Sequence, residues 1–178
     1  MASYIALLRG INVGANMLPM ARLREILAEE GFVDARTYLQ SGNVVLSADA
    51  TPAELAALIE ERVSAVTRLP VACVVRTPAQ LRRIVAGNPF ATEAAALPKT
   101  VHVTFLAGPP AKADAAALGR ISAGSDRWQV AASEVYLHCP NGYGRSKLNN
   151  TALERALGVR ATTRNWSTVL ALHAMTAA

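Results

Sequence analysis

The segment RTYLQSGNVVLS, residues 36–47, decides the fold. Its two strand-like runs, Arg36–Gln40 and Asn43–Ser47, are joined at Ser41–Asn43, where serine, glycine and asparagine are the residue types that a tight turn requires. The segment therefore predicts an antiparallel hairpin, around which the rest of the N-terminal half can be placed.

The N-terminal half reads as six elements in the order βαββαβ. Thr51 and Glu54 form a capping box at the start of the second helix, with Pro52 at its first position. The elements are a strand at Tyr4–Arg9, a helix from Pro19 to Gly31, the two hairpin strands, a helix from Thr51, and a strand at Val71–Arg76. This order is that of the ferredoxin-like split βαβ unit.

The predicted topology has a geometric consequence. Antiparallel pairing puts the end of the first strand at the same edge of the sheet as the hairpin turn. We therefore predict that the loop from Arg9 to Gly14 lies close to Ser41–Asn43.

Residues 77–178 repeat the pattern incompletely. The predicted elements are a helix from Thr77 to Gly87, a strand at Thr100–Ala107, a helix at Ala111–Leu118, strands at Arg127–Ala131 and Val135–Cys139, a helix at Lys147–Leu157, and a last helix capped by Thr162 or Thr163. No fourth strand is evident. The sequence thus predicts an α+β protein with two ferredoxin-like subdomains in tandem, residues 1–76 and 77–178, the second lacking a clear fourth strand and ending in helices.

Composition permits a folded chain with an anionic partner. Of 178 residues, 52% are hydrophobic and 17% charged, which suits one domain or two small subdomains with a sizeable core. The net charge is +5, and all of the excess lies in residues 94–178, which carry nine Lys or Arg against four Asp or Glu. Such a basic half suits nucleic acid or a phosphorylated small molecule; the alternative is ordinary solvated surface in an arginine-rich composition.

Other residue types exclude several classes of site. Cys73 and Cys139 lie on separate strand-like runs without partners at metal-ligand spacing, so we expect buried free thiols, no metal site and no cofactor. The three histidines are isolated. Apolar runs are too short to cross a bilayer, and no basic segment precedes the first of them, so we expect a cytoplasmic protein without a membrane partner. The sequence leaves the oligomeric state open.

Four segments carry a family resemblance. They are LLRGINVG (Leu7–Gly14), RTYLQSGNVV (Arg36–Val45), GRSKL (Gly144–Leu148) and TTRNWSTV (Thr162–Val169). Together, and in this order, they resemble the bacterial proteins grouped as domain-of-unknown-function family 1697. The resemblance implies a pair of ferredoxin-like α+β subdomains, and it brings no activity, cofactor or catalytic residue to transfer.

The first candidate site is the loop after the first strand. Arg9 and Asn12, with the amides around Gly14, could hold a phosphate or carboxylate, because a guanidinium and a nest of backbone N–H groups both favour anions. Ser41 and Asn43 join this site through their predicted closeness to Arg9. The alternative is that these residues only serve the turn and the hairpin.

The second candidate site is the basic stretch near residue 146. Arg145 and Lys147 could bind an anion at the N-terminus of the following helix, with Ser146 either contacting the anion or capping the helix. A Ser146–Lys147 catalytic pair is rejected, because adjacent residues on a helix do not face each other.

The third candidate lies in the last segment. Arg164 and Asn165 could contact phosphate while Trp166 stacks on a base. Alternatively, Trp166, Val169 and Leu170 face the core on one side of a helix, and this predicts a buried indole.

Three functions are consistent with these patterns. The first is a binder of a phosphate-bearing ligand, a nucleotide or nucleic acid, through the arginine-rich loops. The second is an enzyme acting on a small anionic metabolite in a cleft between the subdomains, although no catalyst stands out. The third is a protein-interaction module. Ferredoxin-like folds serve all three functions, so the fold does not choose between them.

Overall fold

The computed structural model describes residues 1–121 and 123–177 as a mixed α+β protein with two four-stranded antiparallel sheets. The elements of the first half are β1 (Ala2–Arg9), α1 (Met20–Glu29), β2 (Arg36–Tyr38), β3 (Asn43–Ala48), α2 (Pro52–Thr67) and β4 (Ala72–Arg76). Those that follow are α3 (Pro78–Ala86), α4 (Ala91–Ala96), β5 (Val101–Leu106), α5 (Lys112–Ala117), β6 (Arg127–Ala131), β7 (Glu134–His138), α6 (Asn150–Leu157), β8 (Ala161–Asn165) and α7 (Trp166–Thr176).

The chain divides into two compact units. One comprises Met1–Arg82 with Leu172–Ala178, and the other comprises Arg83–Ala171. None of the helices in the described part of the chain is long and apolar enough to span a bilayer.

The first sheet has the strand order β2-β3-β1-β4, with every neighbouring pair antiparallel. One face packs against α1 and α2, where residues at helical spacing, such as Leu55, Ile59 and Val63, join Ala6 and Leu8 of β1 in one buried cluster. The strands and helices predicted for this half are all present.

A capping box formed by Thr51 and Glu54 stabilises the start of α2. The Thr51 hydroxyl accepts a hydrogen bond from the Glu54 amide at 3.3 Å, and the Thr51 amide donates to the Glu54 carboxylate at 2.8 Å. The predicted capping box is confirmed. Two of the free amides at this helix end therefore have partners within a four-residue sequence signature.

The second sheet has the order β6-β7-β5-β8. The prediction that this half lacks a fourth strand is wrong, because Thr162 and Thr163 lie in β8 and do not cap the last helix. The Thr163 hydroxyl lies 2.7 Å from that of Thr104 on β5, and Asn165 accepts the hydrogen bond from Thr168 that begins α7. Threonine suits both helix caps and strands, so the type of residue alone did not distinguish them.

The strands of the two sheets pair in equivalent registers. Ile5 of β1 pairs with Val45 and Arg76, and the corresponding residue of β5, Val103, pairs with Tyr136 and Arg164. Near the ends of the two central strands, backbone amides also have matching partners: the Leu8 amide donates to the Gly42 carbonyl at 2.8 Å, and the Leu106 amide donates to the Ser133 carbonyl at 2.9 Å. The internal repeat therefore extends beyond element order to the pairing of individual residues.

The last helix packs as predicted at two of three positions. Trp166 is 7% exposed and Val169 is fully buried, which confirms the core assignment of the indole. Leu170 is 42% exposed, so its predicted place on the buried face is wrong. With the helix starting at Trp166, Thr168 and Leu172 are buried together with Trp166 and Val169.

Candidate functional site

The loop after β1 is tied to the hairpin by one asparagine. The Asn12 Nδ2 atom donates to the main-chain carbonyl of Gln40 at 2.6 Å and to that of Leu18 at 2.8 Å, and its Oδ1 accepts from the Leu18 amide at 2.8 Å. Asn12 has a φ of 54°, a left-handed conformation that asparagine tolerates better than most residues. The predicted approach of this loop to the hairpin is confirmed.

Gly42 makes the close approach possible. A Cβ atom at this position would lie 2.7 Å from Ile11 Cδ1 and 2.9 Å from Leu8 Cβ, and the φ of Gly42 is 80°. Both the space and the backbone conformation therefore require glycine. The hairpin turn packs directly on the loop that follows β1.

Two polar residues of this first candidate site, Ser41 and Asn43, make hydrogen bonds within the hairpin. Asn43 is fully buried, and its Nδ2 donates to the carbonyl of Tyr38 at 2.7 Å and to the Ser41 hydroxyl at 2.9 Å. Arg9 ends β1 half-buried, and Gly14 is exposed with a φ of 58°. The side-chain amides of Asn12 and Asn43 donate to main-chain carbonyls. Binding of an anion at this site stays a prediction.

The second candidate site changes because the helix begins later than predicted. Asn149 caps α6, accepting from the Ala152 amide at 3.0 Å, and Ser146 lies outside the helix, where its hydroxyl accepts from the Leu148 amide at 3.0 Å. The prediction of Ser146 at the helix cap is wrong. Leu148 is fully buried and anchors the segment, and asparagine provides an equally good cap one turn later.

Arg145 and Lys147 instead line an open pocket of about 400 Å³ within the second unit. The other lining residues are Ala123, Gly124, Ser125, Asp126, Asn141 and Gly142. On its wall, Asn141 Nδ2 donates to the Ser125 hydroxyl at 3.0 Å. The pocket therefore combines two cations, one carboxylate and several small polar groups.

Two segments distant in sequence form this pocket because of the β6–β7 hairpin. Arg127, at the start of β6, pairs with His138, at the end of β7, so residues 123–126 and 141–147 meet at one edge of the sheet. Gly142, with a φ of 91°, starts the turn that ends at Arg145, whose amide donates to the Gly142 carbonyl at 3.2 Å. Sequence reasoning missed Ser125, Asp126 and Asn141, although the two predicted strands at Arg127–Ala131 and Val135–Cys139 lie between the segments that carry them.

The thiol of Cys139, which interacts with Ser146 and Asp126, is not a nucleophile at neutral pH. Cys139 is fully buried, and burial raises the pKa of its thiol to about 11. A hydrogen bond with Ser146 acts in the opposite direction, and the Asp126 carboxylate acts in the same direction as burial. The expectation of buried free thiols is confirmed for Cys139 and Cys73.

The third candidate site is not part of this pocket. The Arg164 side chain is 8% exposed and donates from Nη1 to the Thr162 hydroxyl at 2.8 Å and to the Thr163 carbonyl at 2.9 Å. Asn165 begins α7 through its bond to Thr168, and Trp166 is buried. These three residues stabilise β8 and α7, and a role in ligand binding stays a prediction.

A buried histidine lies close to the loop that carries Arg145. His102 is 8% exposed, stacks on Tyr143 with ring centroids 4.7 Å apart, and has no hydrogen-bond partner at Nδ1 among the described residues. Burial lowers its pKa to about 4, opposed by a hydrogen bond with the backbone of Thr100. Its imidazole is therefore neutral at physiological pH. Within residues 1–121 and 123–177, no group of three or more His, Cys, Asp or Glu side chains is placed to hold a metal ion.

Comparison with known proteins places the chain in a family. The family model described as "Protein of unknown function (DUF1697)" matches residues 1–136. The chain belongs to this family. The resemblance drawn from the four sequence segments is thereby confirmed.

A solved structure shares the fold of this DUF1697 member. It is that of the conserved bacterial protein SP0830 from Streptococcus pneumoniae, with 20% sequence identity and a TM-score of 0.72, and the match covers 100% of this chain and 99% of that chain. At this identity the likeness shows the fold alone. No curated protein matches the chain.

The residues that line the pocket lie on both sides of position 136, the last residue matched by the family model. Ser125 and Asp126 lie within the residues matched by the DUF1697 model, whereas Asn141, Arg145 and Lys147 follow its last matched position. Neither the family description nor the name of the solved structure carries an activity.

Proposed function

We propose that this protein binds a phosphate-bearing small ligand in the pocket lined by Arg145 and Lys147. The observation that supports the proposal is the convergence of these two cations on one concave surface with Ser125, Asn141 and the glycines of both loops. The pocket volume of about 400 Å³ lies within the range of small-molecule sites.

The side chains suit an anion for separate physical reasons. Arg145 offers a planar fork of N–H donors that matches two phosphate oxygens, and Lys147 adds a compact charge with three donors. Both are exposed, so salt screens their attraction for a ligand and affinity falls as ionic strength rises. Gly124 and Gly142 leave the backbone accessible beside them.

Both units have the strand order of a ferredoxin-like fold. The strand orders β2-β3-β1-β4 and β6-β7-β5-β8, each within a βαββαβ run of elements, support the ferredoxin-like assignment of both units. In this arrangement the pocket lies at the sheet edge formed by the start of β6 and the end of β7.

A thermal-shift titration tests the proposal. Phosphorylated metabolites are added to the wild type, to Arg145→Ala and to Lys147→Ala, at low and at physiological salt. We expect at least one phosphorylated compound to raise the Tm of the wild type, because a ligand at 100 times its Kd stabilises by about 2.7 kcal/mol. Each pocket variant should need more ligand for the same shift.

Arg155→Ala is the matched control, since Arg155 is an exposed arginine on α6 that does not line the pocket. It removes the same charge from the same unit and should leave the ligand response unchanged. If all three variants respond equally, or if no phosphorylated compound shifts the wild type, the proposed site is wrong.

A second candidate function, a protein-interaction module, rests on a different surface. Val13, Met17 and Leu39 are 69%, 70% and 54% exposed, on two loops that Asn12 ties together. Exposed apolar side chains mark a binding surface where they form a contiguous patch, and the two loops that carry these residues adjoin. Met17→Ser with Leu39→Ser should abolish capture of a specific partner, whereas Val33→Ser, at another exposed valine, should not. The third alternative, an enzyme acting on a small anionic metabolite, stays a prediction.

A further inference from the structure

The pocket at Arg145 is lined mainly by polar and charged residues, and this restricts the chemical class of ligand that it suits. Among the lining residues in the described part of the chain, Ala123 is the one that contributes an apolar side chain, and none of them is aromatic. Most small-molecule sites are lined chiefly by hydrophobic and aromatic groups. We infer that the ligand is a phosphorylated sugar or polyol, a molecule rich in hydroxyl groups with a single phosphate. This inference rests on the proposed function and specifies its ligand class.

The charges of the lining residues suit a single phosphate with a neutral remainder. Arg145 and Lys147 provide two positive charges, and Asp126 brings one negative charge into the same pocket. A carboxylate repels a second phosphate but accepts hydrogen bonds from hydroxyl groups, since an ionised carboxylate is an acceptor only. The phosphate therefore binds at the cations and the hydroxyl groups bind toward Asp126.

The wall of the pocket adds further groups for hydroxyl recognition. The Ser125 hydroxyl accepts from Asn141 Nδ2 at 3.0 Å and keeps its own proton to donate, while the side-chain oxygen of Asn141 is an acceptor. A sugar hydroxyl both donates and accepts, so this pair matches its chemistry. The Ser125 hydroxyl and the Asn141 amide would form few hydrogen bonds with a flat apolar ring.

A nucleotide fits the same pocket less well. Recognition of a base commonly uses an aromatic side chain on which the base stacks. Tyr143 is the aromatic residue in the 141–147 loop, and its ring stacks on His102 with centroids 4.7 Å apart. It is not among the described lining residues, so a base would find no aromatic stacking surface in this part of the pocket.

Isothermal titration calorimetry with four probes tests the inference. The probes are glucose 6-phosphate, glycerol 3-phosphate, adenosine 5′-monophosphate and inorganic phosphate. We expect at least one of the two hydroxyl-rich esters to bind at least about tenfold more tightly than adenosine 5′-monophosphate and inorganic phosphate, a factor equivalent to about one charged hydrogen bond. Asp126→Asn should reduce that advantage about tenfold while leaving the affinity for inorganic phosphate equal or higher.

The outcomes separate this inference from the proposed function. If none of the four probes binds, or if Arg145→Ala binds them as the wild type does, the proposed function fails. If the probes bind through Arg145 but adenosine 5′-monophosphate is the tightest, or Asp126→Asn keeps the wild-type preference, the sugar or polyol assignment alone is overturned. Ser125→Ala gives a second measure in case Asp126→Asn does not fold: loss of the ester preference supports the inference, and an unchanged preference contradicts it.

Discussion

Arg76 and Arg164 occupy equivalent positions in the two sheets. Arg76 pairs with Ile5 on the central strand of the first sheet, and Arg164 pairs with Val103 on that of the second. Both side chains are buried, and each donates from Nη1 to the main-chain carbonyl of the residue before it, at 3.0 Å and 2.9 Å. The two halves thus repeat a buried guanidinium as well as a backbone register.

The buried guanidinium of Arg164 should contribute to stability. Arg164→Lys keeps the charge but loses the planar donors that bond Thr162 and Thr163, so we expect the free energy of unfolding to fall by about 1–3 kcal/mol in a urea titration. Arg155→Lys, at an exposed position, should stay within about 0.5 kcal/mol of the wild type. An unchanged urea midpoint for Arg164→Lys would show that these bonds add nothing.

Two glycines separate the effect of space from that of backbone conformation. Gly42→Ala and Gly14→Ala both place a Cβ on a residue with positive φ, but only at Gly42 do atoms lie within 4 Å of that Cβ. Gly14→Ala should therefore lose about 1–2 kcal/mol for its conformation, and Gly42→Ala about 1–3 kcal/mol more for the contacts with Leu8 and Ile11. Chemical denaturation of both variants measures the difference; equal losses would contradict the packing of the hairpin on the loop.

His102 should make the protein less stable in mild acid. Its pKa of about 4 in the folded state lies below the ordinary value of 6.5, so between these values the unfolded chain binds the proton more readily. The stability present above pH 6.5 is lost as the pH falls toward 4, by about 2 kcal/mol at pH 5.

Urea unfolding of the wild type and of His102→Gln at pH 7 and pH 5 isolates this effect. The side chain of the variant does not titrate, so its stability should change less over that interval than that of the wild type. Parallel pH dependences in the two proteins would show that His102 is not the group responsible.

Trp166 should act through the core. Trp166→Ala removes an indole that is 7% exposed, so we expect a loss of about 3–5 kcal/mol, whereas Trp128→Ala, at a half-buried position on β6, should lose less. Thermal and urea unfolding measure both. A Trp166→Ala protein with the wild-type Tm and a weakened affinity for single-stranded nucleic acid would instead assign the indole to a stacking site.

Most helices and strands could be predicted from the sequence because the residues that indicate them lie close together in the chain. The capping box at Thr51 and the turn at Ser41–Asn43 each lie within a few residues, and both predicted their elements correctly. β8 was missed because Thr162 and Thr163 fit a helix cap as well as a strand; pairing with Thr104 on a strand about sixty residues earlier decides between the two.

The candidate site was less predictable because its halves are distant in sequence. Arg145 and Lys147 were identified from their charge, but the helix N-terminus assigned to them lies at Asn149 instead of Ser146. Asp126 gave no local signal at all. It becomes part of the pocket through the register of β6 with β7, and the two strands predicted from the sequence do not fix that register.

The most direct test of the account is a titration with glucose 6-phosphate followed in the ¹H–¹⁵N NMR spectrum. Binding at the proposed pocket should shift the amide signals of residues 124–126 and 141–147 in a saturable manner, and Arg145→Ala should weaken the response while Arg155→Ala preserves it. The amides of Asn12 and Ser41, in the other unit, should not move. Saturable shifts centred on Asn12 and Ser41, or no saturable shifts at all, would contradict the account.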